Sequence, residues 1–134
     1  MAFHSKISIM TEQRAHWVDI TRQVQAQVAR SGIRTGSCTV SSLHTTAGIT
    51  INENADPSVG RDIFWKLSQL IPHDDAYRHM EGNSDSHLKA SLVGLSVVVA
   101  VDEGQLVLGT WQSLYFCEFD GPRGRRVGVT VIGE

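Results

Sequence analysis

The chain is short of cysteine, of charge and of long apolar runs, and each shortage removes a class of protein. Its 2 cysteines, Cys38 and Cys117, lie far apart and form no CxxC. That pattern builds neither a disulfide framework nor a zinc module, so free buried thiols in a reducing compartment are expected. No apolar run approaches the ~18 residues that a membrane span requires. The opening Met1-Ala2-Phe3-His4-Ser5-Lys6 lacks the basic and then apolar regions of a secretory signal. The expected location is the cytoplasm, with no membrane partner. Charged residues are 19% of the chain and the formal net charge is −2. This excludes general nucleic-acid binding, which needs many lysines and arginines facing phosphates. It leaves room for a small anion held by one local basic cluster. The low charge content also fits a tightly associated oligomer.

With 134 residues the chain is expected to be one domain, 1–134, large enough to fold without a metal or disulfide staple. No repeat, linker or low-complexity segment interrupts it. Ile7 and Ile9 alternate with Lys6, Ser8 and Met10, which predicts a strand, and Trp17, Val18 and Ile20 predict its hairpin partner. Thr21 is the expected N-cap of a helix over 22–30, closed by Gly32. Strands follow over 38–44 and 49–51. Asp56-Pro57 opens a helix to about Leu70, with Val59, Ile63, Phe64, Leu67 and Leu70 on one stripe. A helix over 87–93, capped by Ser84 or Asp85, is expected to anchor through Leu88 and Leu92. Strands over 97–101, 106–108, 114–119 and 125–132 complete the chain. Strands interrupted by isolated helices point to α+β with mostly antiparallel sheets.

The chemistry concentrates in His79-Met80-Glu81-Gly82-Asn83-Ser84-Asp85-Ser86-His87-Leu88-Lys89. His44, His79 and His87 are the candidate metal ligands, since three neutral imidazoles and an open position suit a catalytic metal. They lack a diagnostic spacing such as HExxH. Asp85 is a candidate fourth metal ligand, a partner orienting a ring or a catalytic acid/base, and a helix N-cap is its plain alternative. Glu118 continues the apolar stripe of Leu114 and Phe116, which places it at a rim or in a buried pair; it is the second catalytic candidate. The basic cluster Arg123-Gly124-Arg125-Arg126 offers guanidinium forks to phosphate. Arg123 is preferred there, and Arg125 is placed on the exposed side. Lys89 is another anion contact. Asn52 and Glu53 lie at the start of the Asp56 helix, whose dipole attracts anions. His4, His16 and His73 read as surface or partly buried residues, and Trp111 and Gln112 as structural.

Taken in order, Leu43-His44-Thr45-Thr46-Ala47-Gly48-Ile49, Asn52-Glu53-Asn54, the 79–89 stretch, Gly104 to Gln112 and Glu118-Phe119-Asp120-Gly121-Pro122-Arg123 resemble the YjbQ-like family, the secondary thiamine-phosphate synthases. The resemblance covers nearly the whole chain. It implies a two-sheet α+β sandwich assembled as a homotrimer. It implies a polar site with clustered histidines, a divalent metal (zinc or magnesium) and a small phosphorylated metabolite. Contacts to that metabolite are implied at Thr45, Asn52, Glu53, Asn83, Lys89 and Arg123. The implied activity joins a pyrimidine diphosphate to a thiazole phosphate. The loop Asn83-Ser84-Asp85-Ser86-His87 departs from the family's Asn-Ala-Asp-Ala-His by two serines. No P-loop and no aspartate-rich diphosphate motif is present. A metal-dependent hydrolase or lyase, or a trimeric metal- or metabolite-binding protein without turnover, are the alternative functions.

Overall fold

Alternating apolar residues build the strands, and the way those strands pair decides where the site sits. The computed structural model describes residues 1–134 as β1 (Ala2–Met10), β2 (His16–Asp19), α1 (Thr21–Ser31), β3 (Gly36–Ser42), β4 (Ala47–Glu53), α2 (Pro57–Leu70), α3 (Ser84–Val93), β5 (Ser96–Asp102), β6 (Gln105–Leu106), β7 (Gln112–Glu118) and β8 (Gly124–Gly133). One sheet has the order β1-β8-β3-β5-β6 and the other β2-β7-β4. Every pairing is antiparallel. The fold class is therefore α+β with two antiparallel sheets and three helices.

The five-stranded sheet turns Ile7, Ile9, Cys38, Val40, Val99, Val101, Val127, Val129 and Val131 inward, against Ala47, Ile49, Leu114 and Phe116 of the smaller sheet. Ile20, Val24, Val28 and Ile33 on and around α1 belong to the same core. The smaller sheet is covered on its other side too. Cys117 and Phe119 pack there with Leu67 of α2 and Ala90 of α3, joined by Trp17, Ile63, Phe64 and Val93. β7 is thus buried on both faces, and Ser113 through Glu118 form an unbroken buried run.

Several expectations change. β1 and β2 form no hairpin: β1 pairs with β8 along its whole length, and β2 crosses to β7, with Trp17 opposite Cys117. Thr21 is the first helical residue, and Ile20 occupies the cap position. The Thr21 hydroxyl donates to Asp19 Oδ1 and accepts from the Leu114 amide instead. Helix α3 begins at Ser84, one turn before the expected start. Its anchors are not Leu88 and Leu92, which are 48% and 64% exposed; the buried residues are Asp85, Ser86, Lys89 and Ala90. By contrast Asp56 caps α2 as expected, accepting from the Ser58 amide at 2.9 Å. Gly32 and Gly94 close α1 and α3 with φ of 69° and 100°, a region that favours glycine.

Candidate functional site

One end of the sandwich gathers three segments that are distant in sequence. Leu43 to Thr46 leaves β3 and enters β4. His79 to His87 leads into α3. Asp120 to Arg125 turns from β7 into β8. Together they line a polar cavity of about 450 Å³, and its walls carry His44, Thr45, His79, Asn83, His87 and Arg123. Six sequence-selected residues therefore converge. Leu43, Thr46, Glu81, Asp120 and Arg125 complete the lining.

The histidines stand in two different settings. His79 and His87 face each other edge-on, with ring centroids 5.4 Å apart and planes at 87°. Glu81 Oε2 lies 3.9 Å from His79 Nε2. His44 is separate: its Nε2 accepts a hydrogen bond from the Arg126 amide at 2.8 Å. Burial lowers the His44 pKa, and Arg125 beside it opposes a second proton, with Glu118 pulling the other way. No group of three or more His, Cys, Asp or Glu side chains converges to hold a metal. His44 gives its Nε2 lone pair to the backbone here, while His79 and His87 form the facing ring pair.

Both candidate catalytic carboxylates sit beneath the cavity and do not line it. Glu118 is 0% exposed. It binds the Arg125 guanidinium through Nε and Nη2 and accepts from Thr11 Oγ1 at 2.7 Å. Burial pushes the Glu118 carboxyl up, but hydrogen bonds from Arg125 and Thr11 outweigh it and leave its pKa below the usual range. Asp85 is also 0% exposed. It accepts from Arg14 Nη1 at 3.3 Å, from Arg14 Nη2 at 3.2 Å and from Lys89 Nζ at 3.1 Å. Burial raises it too, and these two cations bring it below the usual range. Charges buried this deeply are held only when paired. Lys89 is one of these partners, so it is not an anion contact. Ser86 Oγ donates to the Phe119 carbonyl and ties α3 to the β7–β8 turn.

Arg125 reverses its expected placement. It is 3% exposed and lines the cavity, while Arg126 faces outward. The signal was in the sequence: Arg125 shares the odd-numbered face of β8 with Val127, Val129 and Val131. Arg125 Nη2 also donates to Thr46 Oγ1 at 2.8 Å. Arg123 is half-exposed and pairs with Asp120 at 3.3 Å. Asp120 in turn accepts from Asn83 Nδ2 at 2.8 Å, and Asn83 Oδ1 is buried with no partner.

Asn52 and Glu53 stand apart. Ala47 pairs with Glu118 at the site end of β4, and Glu53 pairs with Gln112 at the other. At ~3.3 Å per residue this separates them by roughly 20 Å. Glu53 Oε2 instead accepts from the Ala55 amide at 2.9 Å, organising the entry to α2.

The same fold and sequence recur in known proteins. The profile of the UPF0047 protein YjbQ-like family matches residues 5–134. The chain belongs to this family. UPF0047 protein MJ1081 of Methanocaldococcus jannaschii is 49% identical over 129 residues, covering 96% of this chain and 94% of that protein. UPF0047 protein YugU of Bacillus subtilis is 48% identical over 128 residues, covering 95% and 97%. A YjbQ/UPF0047 family protein from Clostridium acetobutylicum, solved by crystallography, superposes with a TM-score of 0.94 at 49% identity, covering 96% of this chain and 99% of that one. A YjbQ-like protein of unknown function from Sulfolobus solfataricus P2 gives 0.95 at 35% identity, covering 100% and 99%. The YjbQ-like fold expected from the sequence is thus shown.

Proposed function

We propose that this YjbQ-like protein is an enzyme whose cavity binds a small phosphorylated metabolite, and that its reaction is a transferase step of the thiamine-phosphate synthase kind. The observation that carries this reading is the convergence of two arginines, three histidines and two threonines on one cavity from three separate segments. Guanidinium forks, hydroxyls and imidazoles match phosphate oxygens. In such a reaction the protein's share is to position two small molecules and to stabilise a departing diphosphate.

Charge decides what else is needed. Arg125 is matched by Glu118 and Arg123 by Asp120, and Glu81 adds a carboxylate at the rim. The cavity therefore has no surplus of fixed positive charge for a phosphate dianion. A divalent cation carried in with the ligand would supply it, with His79 and His87 as protein donors. Such an ion would neutralise charge on the leaving diphosphate. The hydrolase or lyase alternative is the weaker one, because Asp85 and Glu118, its candidate bases for activating water, are buried and paired. We place the protein in the cytoplasm, where Cys38 and Cys117 stay reduced; no helix is long and apolar enough to cross a membrane.

The test is a coupled assay for joining a pyrimidine diphosphate to a thiazole phosphate, run beside calorimetric binding of inorganic phosphate. Arg123→Ala is expected to weaken phosphate binding by roughly tenfold, the loss of one charge-assisted hydrogen bond. Arg126→Ala, on the outer face, should change it little. Equal effects of the two would overturn the phosphate assignment. His87→Ala should abolish turnover in a protein that still folds; stoichiometric binding with no turnover in the unaltered protein would instead favour the binding-protein reading.

A further inference from the structure

We propose that His44 is held as a neutral imidazole that donates a hydrogen bond from Nδ1 to the anionic group of the cavity's ligand, and that it is no part of a metal-ligand set. This rests on the reading that the cavity takes a phosphorylated ligand, and it assigns one residue a defined role there.

The argument begins with the backbone. The ladder between β3 and β8 ends where Ser42 faces Val127. The next β8 amide, that of Arg126, has lost its strand partner on this side. His44, two residues past the end of β3, supplies Nε2 to that amide at 2.8 Å. The surrounding hydrogen bonds fix the loop. Leu43 N donates to the Arg126 carbonyl at 3.3 Å and Ser42 N to the Leu95 carbonyl at 2.7 Å. The His44 amide itself donates to Ser42 Oγ at 3.3 Å.

A backbone amide only donates, so Nε2 must accept. An imidazolium carries protons on both nitrogens and would set N–H against N–H. The ring is therefore neutral, and its single proton lies on Nδ1. Metal ligation by Nδ1 would need a lone pair there while Nε2 still accepted, a ring with no proton at all. Ligation by Nε2 would orphan the Arg126 amide, at a cost comparable to a lost hydrogen bond. His44 lines the cavity, and Nδ1 is its one uncommitted nitrogen. Arg125, whose guanidinium Glu118 already holds by Nε and Nη2, lines the same cavity. The ligand thus meets one neutral donor and one anchored guanidinium, both oriented before it arrives, which is how fixed donors contribute most.

The proposal is tested on the full-length chain by 15N NMR of its histidines, with inorganic phosphate and then zinc as probes. The expected result is a protonated Nδ1 and an unprotonated Nε2 for His44 throughout about pH 6–8, with phosphate shifting the Nδ1 proton. Zinc should perturb His79 and His87 and leave the His44 nitrogens unchanged. A protonated Nε2, an imidazolium signal, or a His44 nitrogen that responds directly to zinc overturns the assignment. Two variants check it independently. Asparagine places an N–H where Nδ1 was, and glutamine places an acceptor where Nε2 was. His44→Asn should keep phosphate affinity within roughly threefold, while His44→Gln should lose roughly tenfold. The reverse order overturns the donor role. If the unaltered protein shows no phosphate binding, the reading of the cavity fails and takes the donor role with it. If phosphate binds but the His44 Nδ1 proton does not respond, this inference alone fails.

Discussion

Glu118 faces no solvent, yet it orients Arg125, the guanidinium at the cavity floor, while Thr11 and two backbone amides complete its shell. Glu118→Gln leaves Arg125 buried with no counter-charge. Breaking a buried pair from one side costs about 3–5 kcal/mol, so the denaturant midpoint should fall steeply, and Glu118→Gln with Arg125→Met should recover much of the loss. Urea unfolding of the two variants checks it; a single variant as stable as the parent would sink the pairing argument. The histidines were legible at this scale, because polar side chains clustered in an apolar chain stand out. The roles of the charged residues were not. Whether Asp85, Lys89 or Glu118 faces a ligand or another side chain depends on what packs above it. Asp85 and Lys89 satisfy each other as neighbours one turn apart on α3, yet it is Arg14, far off in sequence, that completes the cluster.

At the scale of elements, periodicity located each strand and helix, with ends displaced by up to a helical turn, but not its partner. Alternation in β1 and β2 says which face is apolar, and a hairpin and a crossing between sheets satisfy it equally. The contact of β4 with α3 is the element pairing that sets the depth of the site. Gly48 lies where that end of the helix meets the strand: a methyl group there would stand 2.6 Å from the Gly94 carbonyl oxygen and 3.3 Å from Val93 Cγ1. Backbone cannot yield as a side-chain tip can. Gly48→Ala should therefore cost about 1–3 kcal/mol by overpacking and lift α3, with His87 on it, away from the cavity. A lower melting temperature together with weakened phosphate binding is the expected pair of results. An unchanged melting temperature would show that the contact is loose. Asp85→Asn acts at the other end of the same helix by leaving Lys89 and Arg14 uncompensated, and Lys89→Met should rescue it in part.

The whole molecule should lose stability in acid in two stages. His44 is held below the ordinary imidazole value, so the unfolded chain binds its proton first. Its contribution is present above about pH 6.5 and is lost as pH falls below that value. Asp85 and Glu118 are held below the ordinary carboxylate range. Their contribution is present above about pH 4 and is lost as pH falls toward their folded values. Melting followed against pH should show a shallow decline and then a steep one, and His44→Asn should remove the shallow part alone. Assembly also belongs at this scale. The outer face of the larger sheet carries Ser37, Thr39 and Ser41 on β3, Val98 and Ala100 on β5, and Thr130 and Ile132 on β8, a surface nearly free of charge across its centre. Val98 and Ile132 are exposed there, as are Trp65, Leu70 and Trp111 elsewhere. Exposed apolar residues of this kind suit contacts between copies of a chain, and this face is where the homotrimer implied by the family resemblance is expected to close. Light scattering should give three times the chain mass of 14.7 kDa. Val98→Lys, set opposite Thr39 in the middle of that face, should shift the mass toward one chain. A trimer that survives Val98→Lys would move the contact off this sheet, and a monomer mass for the unaltered protein would remove the trimer altogether.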